Sequence, residues 1–220
     1  MNQEVIHVYF MPGMAAKPTI FEQIKLPEDN FTSHWLEWKL PYKNESLSEY
    51  AKRFCKEIKH ENPVLVGVSF GGILVQEMSK HIQVQKIIIV SSVKSKHELP
   101  KRMTLSRRTK LYKFMPTSLM SNLDFVARFA FGKTASKRLE LYRKYLAIQD
   151  KYYLDWAIDK VLNWDQEKPI ENTIHIHGTN DHVFPSKYIK NFIAVKGGSH
   201  IMIINRFKWF NEHLPKLIME

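Results

Sequence analysis

The stretch Val64-Leu65-Val66-Gly67-Val68-Ser69-Phe70-Gly71-Gly72-Ile73-Leu74-Val75 constrains this chain more than any other. An apolar run of strand character meets a Gly-x-Ser-x-Gly turn and resumes as an apolar run with helical spacing. A serine on so sharp a strand-to-helix bend holds a strained backbone, and its neighbours two residues away must be small. Gly67 and Gly71 meet that demand, and Gly72 lets the helix pack close to the sheet. The bend lifts the Ser69 hydroxyl clear of the sheet and sets it near the positive end of the helix, where negative charge is stabilised. Taken alone, these residues equally describe a glycine-rich turn whose serine caps a helix. Context has to decide.

The rest of the chain supplies a repeating pattern around this turn. Val5 to Phe10 reads as a buried strand, Met11 to Ala16 as the loop leaving it, and Lys17 to Ile24 as a short helix. Trp35-Leu36-Glu37-Trp38 reads as a second strand, and Ser46 to Lys59 as a helix opened by a Ser46/Glu49 capping box. The strand 63–68, a helix over 70–82 and the strand Lys86 to Ser91 follow. After a break the pattern returns with a strand at Thr173 to Gly178, a short one at 192–196 and a helix over 201–214. That last helix turns Ile203, Ile204, Phe207, Phe210 and Leu214 inward. Short apolar strands alternating with helices predict an α/β protein whose mostly parallel sheet is covered by helices on both faces.

The break spans 93–165. No strong strand appears there, and helical stretches are expected around 104–114, 117–131, 134–148 and 150–163. The division expected is therefore a core formed by 1–92 and 166–220, with 93–165 as an all-helical cap inserted into it. Charge follows the same division. The chain carries 33 Lys and Arg against 22 Asp and Glu, and 16 of the basic residues against 6 of the acidic lie between Lys94 and Lys160. Lys101, Arg102, Arg107, Arg108, Lys110 and Lys113 share a stretch without any acid. Such a run is either a solvated helix face or a landing site for an acidic partner. No nucleic-acid-binding module accompanies it. One cysteine, Cys55, sits at a helix-core position and fits a reducing compartment. The first residues carry no signal-peptide pattern, and no stretch is long enough to span a membrane, so a cytoplasmic protein is expected.

In open parallel sheets, reactive groups gather at the carboxyl ends of strands. The loops there hold Gly13-Met14, Ser69, Asp181 within Gly178-Thr179-Asn180-Asp181, and His200 within Gly197-Gly198-Ser199-His200. The order Ser, Asp, His at these strand ends resembles the α/β-hydrolase fold family over almost the whole chain. The resemblance implies that Ser69 is the nucleophile, His200 the base and Asp181 the acid that orients it. The oxyanion donors would be the N–H of Phe70 and that of Met14, or of Gly13, since Pro12-Gly13-Met14 stands where the family commonly has His-Gly. The first strand here is already the one before that loop, so about six strands are expected rather than eight.

The resemblance further implies a small serine hydrolase acting on a carboxylic ester or thioester, with no cofactor and no metal. Its substrate would be a small acyl compound, and an acidic carrier protein could dock on the basic cap. The same triad also serves acyl transfer, C–C hydrolysis and elimination, and a ligand-binding homologue without turnover is the remaining alternative. His175 and His177 share one face of their strand and read as sheet residues; His7 and His182 carry no assigned role.

Overall fold

Runs of β-branched and aromatic residues build a single sheet in the computed structural model, which describes residues 5–110, Tyr112, Tyr145 and 150–220. Its strands are β1 (Ile6–Met11), β2 (Phe31–Trp35), β3 (Val64–Val68), β4 (Lys86–Val90), β5 (Thr173–Gly178) and β6 (Ile193–Val195). They lie in the order β2-β1-β3-β4-β5-β6, and every neighbouring pair is parallel. The chain runs from β1 outward to β2, then returns to place β3 on the other side of β1. Loops leaving β1 and β3 therefore part in opposite directions at the carboxyl edge, which opens a crevice there.

Helices α1 (Leu47–Phe54), α2 (Phe70–Met78), α3 (Lys101–Thr109), α4 (Lys151–Leu162), α5 (Met202–Asn205) and α6 (Phe207–Met219) complete the described fold. The two-residue period of the strands divides the core into two layers. Tyr9, Met11, Leu65, Ile87 and Ile89 face α1, α2 and α4. Val8, Phe10, Val66, Ile88 and Val90 face Phe21 and the α6 residues Phe210, Leu214 and Ile218. All five residues of β3 are buried, as its uninterrupted apolar run requires.

Local signals account for most boundaries. The Ser46 hydroxyl accepts from the Glu49 N–H while the Glu49 carboxylate accepts from the Ser46 N–H, so the capping box at α1 is complete. Several elements differ from the sequence pattern, among them the helix expected over Lys17 to Ile24, which is only a 3₁₀ turn at Pro18–Phe21. The second strand is Phe31–Trp35, paired to β1 from Ile6↔Phe31 to Phe10↔Trp35, and not Trp35 to Trp38. It is an edge strand, so Thr32, Ser33 and His34 are tolerated within it and no apolar run marks it. The final helical segment breaks at Arg206 and then continues past Pro215 to Met219, because Ile218 is buried in the core.

The inserted segment is described in part. Residues 101–109 form α3, ended by Lys110 in the left-handed conformation, and 151–162 form α4. The stretches expected to be helical at 117–131 and most of 134–148 lie outside the described residues, as does Lys113. Helix α4 buries Tyr153, Leu154, Trp156 and Ala157 in the same layer as α1 and α2. The Trp156 indole donates to the Glu45 carbonyl at 2.8 Å, and the Trp164 indole to Glu77 at 2.8 Å. This part of the insertion is continuous with the core. Among the described residues, no helix is long and apolar enough to cross a membrane.

Candidate active site

Ser69 occupies the turn between β3 and α2 with φ 54° and ψ −118°, a backbone region that favours glycine. Three contacts hold it there. Its N–H donates to the Val90 carbonyl at 2.9 Å, the Ser92 hydroxyl donates to its carbonyl at 2.7 Å, and the Gly72 N–H donates to the same carbonyl at 2.9 Å. The glycines are required by space. A Cβ on Gly67 would overlap the backbone of Gly71 and Gly72, and one on Gly71 would overlap the carbonyls of Met11 and Pro12. Although Ser69 stands at the N-cap position of α2, its side chain makes no cap hydrogen bond. The hydroxyl is directed elsewhere.

It meets His200. Ser69 Oγ lies 3.0 Å from His200 Nε2, and His200 Nδ1 lies 2.8 Å from Asp181 Oδ2. The other carboxylate oxygen, Oδ1, accepts from the N–H groups of Val183 and Phe184 at 2.8 and 2.9 Å. Burial pushes the Asp181 pKa upward, but the adjoining His200 and His177 rings and the Phe184 amide outweigh it, and the net shift is downward. Asp181 is therefore a carboxylate at neutral pH, with His200 Nδ1–H as donor and Nε2 left to accept a proton. Sequence reasoning brings these three side chains together from positions 69, 181 and 200, and the structure places them in one hydrogen-bonded line.

The short span between Asp181 and His200 has a structural basis. A Cβ on Gly178 would overlap the Gly198 carbonyl, so the acid loop and the histidine loop lie against each other. The N–H groups of Thr179 and Asn180 donate to Val195 and Gly198 at 3.1 and 2.9 Å, and the Gly197 N–H donates to the Thr179 hydroxyl at 2.8 Å. Gly197 itself needs its positive φ of 68°. No long crossover helix is needed between loops that are already zipped together.

The loop after β1 reaches the same point. A Cβ built on Gly13 would sit 3.4 Å from that of Ser69. The Gly13 carbonyl accepts from the Trp38 indole at 2.8 Å and from the Ala16 N–H at 3.0 Å. In a trans peptide the following N–H, that of Met14, points the opposite way from that carbonyl. The Phe70 N–H is the first of α2 and has no carbonyl a turn behind it.

Several participants were not visible in the sequence. Trp38 lies beyond the end of β2 and stacks on Phe70, with ring centroids 5.0 Å apart. His177 lies behind the acid, its Nε2 donating to the Phe184 carbonyl at 2.8 Å and standing 3.6 Å from Asp181. Arg102 of α3 donates to the carbonyls of His182 and Val183, which ties the insertion to the acid loop. Only the edge-strand register and the tertiary packing reveal these. Cys55, in contrast, has its thiol pushed up to about 11 by burial and is no nucleophile at neutral pH.

Phe70 contributes its ring to the core and not to an open pocket. It is 1% exposed and packs among Trp38, Trp156 and Leu74. Phe70→Ala is therefore expected to destabilise the fold by about 3–5 kcal/mol. Chemical denaturation reads that loss, and an unchanged midpoint would contradict the packing. A second expectation concerns the strained turn. Ser69→Gly should melt about 2–4 °C above Ser69→Ala, because relief of a positive-φ Cβ exceeds the added flexibility of glycine by about 1 kcal/mol.

No family model matches the sequence, and a comparison with curated proteins finds no match. Solved structures do match. A hydrolase from Pseudomonas aeruginosa superimposes with a TM-score of 0.76 at 13% identity, covering 98% of this chain and 91% of that one. The enol-lactonase of Burkholderia xenovorans gives 0.72 at 13% identity, covering 99% and 92%. A thermophilic esterase from Thermogutta terrifontis gives 0.66 at 13% identity, covering 98% and 92%. With its six parallel strands and the serine turn after β3, this chain has the α/β-hydrolase fold.

Proposed function

We propose that this protein is a serine hydrolase that cleaves a carboxylic ester or thioester through an acyl-enzyme. The observation that carries the reading is the continuous line from Ser69 Oγ to His200 Nε2 and from His200 Nδ1 to Asp181, at 3.0 and 2.8 Å. A serine hydroxyl becomes an effective nucleophile when a neighbouring imidazole accepts its proton as it attacks. His200 takes that proton, and the ionised Asp181 stabilises the imidazolium that results. The N–H groups of Phe70 and Met14 receive the developing oxyanion. His200 then returns the proton to the leaving group, and later activates water against the acyl-enzyme. The fold neighbours described as an esterase and an enol-lactonase support an ester bond as the target. This chemistry calls for no cofactor.

Transfer, C–C hydrolysis or elimination would use the same three residues, and a silent ligand-binding homologue would keep them without turnover. The test is a series of p-nitrophenyl esters of increasing chain length beside acyl thioesters. Turnover that leaves free acid, together with labelling of Ser69 by a fluorophosphonate, is the expected result. Capture of the acyl group by an added alcohol in preference to water would favour transfer. Binding without turnover of any activated ester would overturn the enzymatic reading.

The exposed Lys101, Arg108 and Lys110 of the insertion support docking of an acidic acyl carrier as the source of substrate. Turnover of a carrier-bound thioester should then fall with rising salt while that of a free ester does not. A salt-insensitive thioester profile would remove the carrier.

A further inference from the structure

Three imidazoles converge far from the serine. His7 stands near the amino end of β1, His34 in β2, and His60 in the loop that enters β3. His7 and His34 are diagonal neighbours on one sheet face, since His34 is in register with Tyr9. One ring nitrogen from each of the three lies within 4.8 Å of the others. His7 Nδ1 and His34 Nε2 are only 3.0 Å apart. All three side chains are half-buried, so an ion has access from solvent while Tyr9, stacked on His34, restricts that ring. The run from His7 to Gly13 rises about 20 Å along the strand, which separates this cluster from the triad.

We propose that His7, His34 and His60 form a binding site for a divalent transition ion of the zinc class. Zinc–imidazole bonds of about 2.0–2.1 Å at a tetrahedral angle put ligand nitrogens roughly 3.4 Å apart. The His7–His34 pair is within a few tenths of an ångström of that spacing. Three imidazoles and a water are a sufficient set for zinc, and imidazole suits nickel and copper as well. The third ring is oriented from outside. The Tyr9 hydroxyl lies 2.7 Å from His60 Nδ1 and accepts from the Lys59 N–H at 3.0 Å, the kind of outer contact that fixes a ligating ring. His7 and His60 are stacked, with ring centroids 3.4 Å apart. Bound there, the ion would clip β1, β2 and the entry to β3 together at the edge of the sheet opposite the triad.

The test uses the untagged protein, freed of metal with EDTA and titrated with zinc chloride. One equivalent is expected to bind and to raise the melting temperature. His34→Gln and His60→Gln should each weaken binding at least tenfold, while His97→Gln on the surface and His200→Ala in the triad leave it unchanged. Cobalt provides a second measurement on the wild-type chain, independent of how the variants fold. A tetrahedral nitrogen site gives intense visible absorption, and an octahedral surface ion does not. Absence of stoichiometric binding would overturn the proposal. So would binding that survives both substitutions, or that is lost in His200→Ala and therefore belongs to the triad.

Discussion

Ser69→Ala is expected to lower kcat/KM for an activated ester by at least about 10⁴-fold, with the melting temperature essentially unchanged. Alanine keeps the Cβ and the positive φ of the turn, and the backbone bonds from Val90, Ser92 and Gly72 remain. What disappears is the one atom that bonds to His200 Nε2. Residual turnover would come from the proposed Phe70 and Met14 donors acting on attack by water, a contribution worth about 10³–10⁴ over the uncatalysed reaction in serine hydrolases with a triad. Labelling with a fluorophosphonate checks the same point by mass. The wild type should gain the adduct and the variant should not. Equal labelling would mean that another side chain is the nucleophile.

Asp181→Asn should cost about as much, near 10⁴-fold, for a different reason. Asparagine preserves the shape and can still accept from the Val183 and Phe184 amides through its oxygen. That orientation turns its NH₂ toward His200 Nδ1. The imidazole must then carry its proton on Nε2, facing Ser69, where it cannot take another without becoming an unsupported cation. Stability should respond too. A carboxylate whose folded pKa lies below its unfolded value of about 3.9 contributes fully above that value. The contribution is lost as pH falls through the folded pKa. Wild-type melting temperatures should therefore fall more steeply than those of Asp181→Asn as pH drops below about 4, and parallel curves would contradict the downward shift.

The parts that could be read from the sequence are those governed by local rules. Gly67, Gly71 and Gly72 announce a close approach because no other residue fits, and Ser46 with Glu49 announces a helix start because two amides need acceptors. The uninterrupted runs at β3 and β4 mark strands buried on both faces. The meeting of Ser69, His200 and Asp181 followed from strand ends, where the sheet brings distant loops together. The parts that could not be read depend on pairing across the chain. An edge strand of mixed polarity carries no periodic signal, so the sequence pattern places Trp38 in a strand that it only follows. The trihistidine cluster depends on the register between β1 and β2 together with a loop entering β3, and no spacing in the sequence encodes that. In the sequence Arg102 is one more charge in a basic run, and only the fold brings it to its two carbonyl partners on the acid loop.

Gly71 carries a consequence beyond the turn it permits. Its bare Cα is all that separates the start of α2 from the carbonyls of Met11 and Pro12, and so it spaces the peptide that presents the Phe70 N–H from the loop that presents Met14. Under the proposed function, the gauge of the oxyanion cradle is thus set by an atom that is missing. A gauge of that kind can be widened by any side chain and narrowed by none. Variation at this position can only spread the two N–H groups apart, so under the proposed function adaptation to a larger or smaller acyl group has to be sought in the residues around the cradle.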